Sequence, residues 1–170
     1  MKNILFIFIL FLFSCKNEHS KDSSKQTQEK KDDVIVISKN HDNNLIWCDL
    51  DGDGKNEKIE IVINQKNNKS GLRITFGSNS KIDYFGMGKK ILEQGFDDFD
   101  WVGIFEKAPS GKTYWNNVNE GGEMKIEEKE YTEKDKLVLK NDGIYIHASE
   151  SCGGGIIYLE NGVYKWLQQE

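Results

Sequence analysis

The feature that most restricts the fold of this chain is a series of short segments, from Val34 onward, in which β-branched and aromatic residues recur at alternate positions. Such segments form strands with one buried face. They cover residues 34–38, 44–48, 58–63, 72–77, 101–107, 136–140, 143–149, 155–160 and 163–168. Residues 87–98 carry a weak helical pattern. The sequence therefore predicts a mainly β fold, an antiparallel sheet or meander of about eight to ten short strands with one or two short helices.

Clusters of turn-forming residues separate the predicted strands at 67–71, 141–143 and 161–162. The last two, Asn-Asp-Gly and Asn-Gly, predict tight hairpins, and hence a C-terminal meander over about residues 136–168. The length of 170 residues suits one domain. We place that single β-rich domain at residues 34–170, which is too short for a full propeller.

The N-terminus contains a Lys and then an unbroken apolar run from Ile4 to Phe13. The run is about half as long as a bilayer-spanning helix, which predicts that residues 1–14 are a signal peptide. The run ends in LFSC, which resembles the bacterial lipobox, although Phe13 is larger than the residue usual there. The resemblance implies cleavage before Cys15, acylation of this residue with palmitate or similar chains, and attachment to a lipid bilayer. The alternative is an ordinary signal peptide, or a single anchor helix, with a chance cysteine.

Residues 15–33 are predicted to be the lipidated cysteine and a disordered tether. No aliphatic or aromatic side chain occurs in residues 16–33, so this segment cannot bury enough apolar surface to offset the entropy of ordering. A segment rich in Lys and acidic residues at this place resembles the surface-export tethers of Bacteroidetes lipoproteins. The resemblance implies a protein of the bacterial cell envelope, on the periplasmic or the surface face of the outer membrane.

An acidic loop precedes one predicted strand, in the sequence CDLDGDGKNEKIEIVI at residues 48–63. Its carboxylates recur at alternate positions, as in loops that coordinate Ca²⁺ through oxygen atoms. The predicted ligands are the side chains of Asp49, Asp51, Asp53 and Glu57 and the carbonyl of Lys55, with Glu60 as an alternative closing residue. Gly54 falls where such loops adopt a backbone conformation that other residues resist. The sequence thus predicts Ca²⁺ as a cofactor, bound within residues 49–60.

Two types of calcium loop fit these positions, and the flanking segments distinguish between them. An EF-hand needs a helix on each side and a bidentate Glu at its twelfth position, here Glu60. Both flanks are strand-like instead, which makes Glu57 the better closing ligand. The stretch resembles the Asp-x-Asp-x-Asp-Gly-x-x-Asp/Glu loops between strands of FG-GAP and VCBS repeat proteins, which implies the metal site but not their propeller. A β-turn without a metal is the alternative.

A second cluster of chemically active residue types lies at 146–166. One hypothesis is a cell-envelope hydrolase with Cys152 or Ser151 as nucleophile, His147 as base and the neighbouring glycine amides as oxyanion hole. The short spacing favours this weakly, because catalytic partners usually come from distant segments, and a glycine run also serves as a bulge between strands. The stretch also resembles the C-terminal end of small Bacteroidetes lipoproteins that have an Asp-rich loop upstream. Those proteins have no assigned activity, and the resemblance implies a domain that ends in an aromatic hairpin.

Several other residues are candidates for specific roles. Cys48 and Cys152 remain after lipidation and either form a disulfide or stay as buried free thiols. Tyr114 and Trp115 stand in a polar stretch rich in Gly and Asn, predicted to be a long loop, and are candidates for binding a partner. His41 is expected at the surface.

The charge of the chain and the absence of a nucleophile motif restrict its function. The net charge is −5, and the lysines are interleaved with acidic residues, which argues against a nucleic-acid partner. We therefore expect a membrane-anchored lipoprotein whose calcium-stabilised β domain acts by binding or assembly, without catalysis. Its ligand is expected to be a protein or a glycan.

Overall fold

The computed structural model describes residues 34–92, 94–119, 121–125, 127–150 and 153–169. The strands are β1 Ile35–Ile37, β2 Leu45–Cys48, β3 Glu57–Asn64, β4 Lys69–Thr75, β5 Ile82–Gly86, β6 Ile104–Ala108, β7 Thr113–Trp115, β8 Lys136–Val138, β9 Gly143–His147, β10 Gly154–Glu160 and β11 Val163–Gln169. A 3₁₀ turn lies at Glu128–Glu130, and the described residues include no α-helix. The named strands pair antiparallel. The predicted mainly β, antiparallel fold is confirmed.

The first sheet contains β1 to β5, with β3 at its centre. β4 pairs with one edge of β3, and β5 pairs with β4. On the other edge, β3 pairs with β2 near its start and with β1 near its end, so β1 and β2 lie end to end. The sequence of β3, EKIEIVIN, is rich in β-branched residues, which suit a central strand.

The second sheet has the strand order β11-β10-β9-β6. A two-residue turn, Asn161-Gly162, joins β10 to β11, and its φ angles of 52° and 78° fit the type I′ turn that such hairpins favour. The hairpin predicted at this place is confirmed. A separate small sheet pairs β7 with β8.

The sheets stack in three layers around two apolar clusters. The first and second sheets face each other across the main core, to which β3 contributes Ile59 and Ile61 and β9 contributes Ile144 and Ile146. All four side chains are fully buried. On the other face of the second sheet, Ile156 packs with side chains of the small sheet. The second sheet is therefore the middle layer, and in the described part of the chain the sheets close neither a barrel nor a propeller.

The helix predicted at residues 87–98 is wrong. The described residues of this segment form turns and bends, and Met87, Gly88 and Leu92 have φ angles of 53°, 93° and 42°. Left-handed backbone at these positions interrupts a right-handed helix. Ile91 is nevertheless fully buried in the main core, so the aliphatic residues of the segment serve packing rather than helical periodicity.

The tight hairpin predicted at residues 141–143 is also wrong. β8 pairs with β7, and β9 pairs with β6 and β10, so the chain crosses from the small sheet to the second sheet at this point. The C-terminal meander therefore consists of β9, β10 and β11 alone.

His41 is buried, contrary to the surface position expected for it. Its Nε2 lies 2.9 Å from the carbonyl oxygen of Phe99, and its Nδ1 lies 3.1 Å from Oγ of Ser38. Since a carbonyl only accepts, Nε2 is the donor there. The histidine thus fastens the segment between β1 and β2 to the core.

The signal peptide, Cys15 and the tether lie outside the described residues. Within the described part of the chain, no helix has the length and apolar character needed to cross a bilayer.

Candidate metal centre

The acidic loop connects β2 to β3, two neighbouring antiparallel strands. Cys48, the last residue of β2, is paired with Glu57, the first residue of β3, so the strands hold both ends of the loop in register. Within the loop, Gly52 and Gly54 have φ angles of 77° and 82°. This left-handed backbone, which glycine adopts without a steric cost, lets the chain coil tightly enough for alternate side chains to converge.

Hydrogen bonds from backbone amides fix the carboxylates of the loop. Asp49 accepts the amide of Gly52 at 2.8 Å with Oδ1 and the amide of Gly54 at 2.9 Å with Oδ2. Asp51 accepts the amide of Asp53 at 3.1 Å. These bonds orient the side chains before any ligand binds, which lowers the entropy cost of binding.

Three carboxylates converge in the structure. Asp49, Asp51 and Glu57 each offer an oxygen, and these oxygens all lie within 4.8 Å of one another. Asp53 is not a member of this group and accepts the amide of Lys55 at 2.8 Å. Of the predicted ligands, the structure brings together three; the carbonyl of Lys55 stays a prediction. The group consists only of carboxylate oxygens, the type of ligand preferred by hard divalent cations such as Ca²⁺.

Glu57 is the buried member of the group, with no exposed surface. Its Oε2 accepts the amide of Leu50 at 2.6 Å, and its Oε1 accepts the amide of Gly77 at 3.4 Å. Burial raises the pKa of Glu57, and the charges of Asp51 and Asp49 add to this rise, whereas the two amide bonds oppose it. A cation between the three groups would stabilise the charged form of Glu57.

Glu60, the alternative closing ligand, takes part in a different set of contacts. Its carboxylate lies 2.7 Å from Nζ of Lys58 and 2.9 Å from a guanidinium nitrogen of Arg73. Residues three apart on a strand point to opposite faces, so Glu57 and Glu60 lie on opposite sides of β3. This placement favours closure of the loop by Glu57.

Asn141 and Asp142, which sequence reasoning assigned to a hairpin turn, fasten the loop to the second sheet. Asp142 accepts the amide of Asp49 at 3.3 Å, and its own amide donates to the carbonyl of Asp49 at 3.0 Å. The side chain of Asn141 donates to the carbonyl of Leu50 at 3.2 Å. A Cβ atom added to Gly52 would lie 2.6 Å from Oδ1 of Asn141, so the two segments are in close contact.

Charge and hydrogen bonds hold Asp142 in its ionised form. Burial alone would raise the pKa of Asp142. The amides of Ser110 and Asp49 and the ammonium of Lys107 outweigh this effect and place the pKa below its ordinary value. The only sequence signal for this role was the general tendency of Asn and Asp to bond to backbone groups.

The proposed nucleophiles Ser151 and Cys152 lie outside the described residues, so the hydrolase stays a prediction. His147 is described: its Nδ1 lies 2.7 Å from the carbonyl oxygen of Ala148, and its ring stacks on that of Tyr145. Its Nε2 is buried and has no hydrogen-bond partner among the described residues.

Cys48 forms no disulfide with another described residue, and its side chain is fully buried. Burial raises the pKa of this thiol far above its ordinary range, and the charges of Asp142 and Glu57 act in the same direction. Gly153, the described neighbour of Cys152, lies at the opposite end of β9 from Asp142. The predicted disulfide therefore stays a prediction, and the described residues do not support it.

Tyr114 and Trp115 lie in β7 and not in the long loop predicted for them. Tyr114 is half-buried and packs in the cluster between the second and small sheets. Trp115 is exposed, and its ring makes an edge contact with the ring of Tyr131. Of the pair, only Trp115 presents a large surface to a partner.

No family model, curated protein or solved structure matches this chain.

Proposed function

We propose that this protein is a lipid-anchored lipoprotein of the bacterial cell envelope whose β domain binds Ca²⁺ and acts by binding or assembly, without catalysis. The observation that carries the calcium proposal is the convergence of Asp49, Asp51 and Glu57, with their oxygens within 4.8 Å of one another. Ca²⁺ accepts six to eight oxygen ligands at about 2.3–2.6 Å. Three carboxylates, a loop carbonyl and water supply such a shell.

Electrostatic repulsion supports a cation at this place. Three carboxylates this close repel one another, and one of them, Glu57, is removed from water. The backbone amides that bind the carboxylates offset part of this repulsion but carry no net charge. A divalent cation would neutralise most of the charge and strengthen the loop.

Binding at the loop would also stabilise the contact between the two large sheets. The loop belongs to the first sheet, and its bonds to Asn141 and Asp142 reach the segment that leads into the second sheet. Because a ligand that binds only the folded state stabilises it, Ca²⁺ at 100 times its Kd would add about 2.7 kcal/mol to the free energy of unfolding. The proposed role of the metal is thus structural.

The experiment that tests the proposal is calorimetric titration of the full chain, freed of metal by a chelator, with Ca²⁺ and separately with Mg²⁺. We expect saturable binding of one Ca²⁺ per chain and a higher melting temperature in Ca²⁺ than in chelator. Asp51→Asn, which keeps the shape of the side chain and removes its charge, should weaken the binding. A chain that takes up no Ca²⁺, and melts at the same temperature with and without it, would remove the metal from the proposal.

A further inference from the structure

The outer face of the first sheet carries a group of exposed apolar side chains. Residues directly opposite each other in an antiparallel sheet point to the same face, so the register identifies its members. One row contains Trp47, Lys58, Thr75 and Ile82, a second contains Leu45, Glu60, Arg73 and Tyr84, and a third contains Ile37, Val62, Gly71 and Gly86. We name the exposed members of these rows, Ile37, Leu45, Trp47, Ile82 and Tyr84, the apolar face.

Each member of the apolar face is exposed although it is a large hydrophobic residue. Trp47 is the clearest case, with 52% of its surface accessible. None of the five belongs to the main core, which lies on the other side of the sheet. In the first two rows the apolar residues lie on the outer strands β2 and β5, and the polar residues of β3 and β4 lie between them. Several exposed large apolar side chains on one sheet face, with charged groups among them, indicate an interaction surface.

Charged side chains lie between the members of the apolar face, and their one carboxylate is paired with two cations. The carboxylate of Glu60 is almost fully buried and contacts both Lys58 and Arg73. These three groups together carry one net positive charge, in a chain whose net charge is −5. The middle of the face therefore presents no uncompensated negative charge to a partner.

A groove of about 390 Å³ continues the apolar face toward β1. Val34, Ile35, Tyr84 and Met87 contribute to its lining, and Lys66 and Lys89 line it as well. Neither Lys66 nor Lys89 forms an ion pair with another described residue. The groove thus combines an apolar lining with two cations that are available to an anionic group.

The chain enters the domain at this groove. Val34 is the first described residue, it lines the groove, and its carbonyl accepts the amide of Gln65 at 2.8 Å. The 33 residues before it lie outside the described part, and they contain the proposed acylation site Cys15. An anchor on that segment would lead from the membrane to the apolar face.

We propose that the apolar face docks on the surface of the lipid bilayer to which the chain is anchored. This inference rests on the lipid anchor of the proposed function. Trp and Tyr favour the interfacial region of a membrane, because a large apolar ring is joined there to a polar group that stays hydrated. Leu and Ile side chains add buried apolar area, while Lys66 and Lys89 attract anionic headgroups. The domain lies flat on its first sheet and turns the small sheet to the solvent.

Bromine quenching of tryptophan fluorescence tests this orientation. The protein used is residues 16–170 with a His tag in place of Cys15. A nickel-chelating lipid tethers it to vesicles of phosphatidylethanolamine and phosphatidylglycerol in buffer containing Ca²⁺. The acyl chains of these vesicles are either brominated or unmodified. The tag replaces the acyl anchor, so a failure of acylation at Cys15 leaves this test intact. The anchor itself is tested separately in cells. Trp47→Phe reports on the apolar face, and Trp115→Phe is the matched control, because Trp115 is also exposed but lies in the small sheet.

We expect brominated lipid to remove the same absolute fluorescence intensity from the unmutated chain and from Trp115→Phe, whereas in Trp47→Phe this decrease should fall by more than half. Ile82→Glu, at the opposite edge of the same face, should reduce the quenching of Trp47 without lowering the melting temperature. Equal quenching of Trp47→Phe and the unmutated chain, or no quenching of either, would overturn the proposal. A dimer in sedimentation without lipid that Trp47→Phe dissociates, with no bromine quenching, would assign the face to a second copy and overturn it as well.

Discussion

Asp49 and Asp142 exchange two hydrogen bonds across the boundary between the two large sheets: the amide of Asp49 donates to the Asp142 side chain, and the amide of Asp142 donates to the Asp49 carbonyl. Asp49 is also a member of the carboxylate group in the acidic loop. Through this pair, the geometry of the loop and the packing of the sheets depend on each other.

Single substitutions of the acidic residues should distinguish those that bind Ca²⁺ from those that only lie nearby. Asp51→Ala should abolish the rise in melting temperature that Ca²⁺ causes, because Asp51 belongs to the converging group. Asp53→Ala is the matched control in the same loop and should keep more of the rise, since Asp53 is not in that group. Glu60→Gln should also keep much of it, because Glu60 contacts Lys58 and Arg73 instead. An equal loss in Glu60→Gln would favour closure at the EF-hand position.

Asp142→Ala should destabilise the domain even without Ca²⁺. The change leaves the amides of Asp49 and Ser110 without their acceptor and Lys107 without its partner. Loss of an acceptor for buried or half-buried donors costs about 1–3 kcal/mol, measurable as the free energy of unfolding in urea. Asp100→Ala, at an exposed position, should change this free energy by no more than about 0.5 kcal/mol. Similar values for both variants would show that Asp142 does not join the sheets.

The ion pair between Lys125 and Asp135 should contribute to the free energy of unfolding at neutral pH and lose this contribution at low pH. The hydrogen bond from Lys125, with those from Thr132, lowers the pKa of Asp135 to about 2 from 3.8. Because the folded pKa is the lower one, the stabilising contribution is complete above the unfolded pKa and is lost as the pH falls through the folded pKa. The difference in unfolding free energy between the unmutated chain and Asp135→Asn should therefore shrink from about pH 5 to about pH 2. In a Lys125→Gln background, this pH dependence should be weaker; an unchanged dependence would contradict the assignment.

Cys48 should be unreactive toward thiol reagents in the folded protein. Its thiol is fully buried and its pKa is raised by burial, so both access and thiolate formation are suppressed. In a chain in which Cys15 and Cys152 are replaced by serine, iodoacetamide should modify Cys48 only after urea is added. A second measurement tests the disulfide between Cys48 and Cys152. In a chain that retains Cys152, the disulfide would lower the intact mass by two hydrogen atoms relative to the reduced chain. Rapid labelling of native Cys48 would contradict its burial.

Cys15→Ala should release the protein from the membrane fraction or leave an uncleaved precursor. The acyl chains lose their attachment point, and each buried methylene contributes about 0.8 kcal/mol to membrane attachment. Palmitate labelling of cells expressing either chain, followed by fractionation, measures both effects. Labelling that survives the substitution would refute the lipobox assignment.

The strands that could be predicted are those whose pattern is local. Alternation along a segment is enough to locate β3 or β10, because it reflects burial of one face. β5, with the sequence IDYFG, and β7, with TYW, were not predicted. β7 is too short to show a period, and β5 carries an Asp on its inner face, where the hydroxyl of Tyr164 donates to Asp83 at 3.0 Å. Such a polar contact between distant residues conceals the pattern that a strand otherwise shows.

In the candidate site, too, the features fixed by local sequence could be predicted, and those that depend on distant residues could not. The spacing predicted that the side chains of Asp49, Asp51, Asp53 and Glu57 converge, and three of them do, because a short loop between paired strands fixes their positions locally; Asp53 is not in the converging group. The contribution of Asp142 depends on the crossing of the chain into the second sheet, which no local signal encodes. The burial of His41 likewise requires the carbonyl of Phe99, which is far away in the sequence.

If the chain is anchored as proposed, the end-to-end arrangement of β1 and β2 along β3 has a mechanical consequence. Tension on the segment before Val34 acts first on β1, which has only three residues and pairs with β3 alone. His41, which lies between β1 and β2, is hydrogen-bonded to Ser38 and to the carbonyl of Phe99, so these bonds resist the force before it reaches β2. The domain can therefore yield a short length of chain under load while β2 and the acidic loop stay in place.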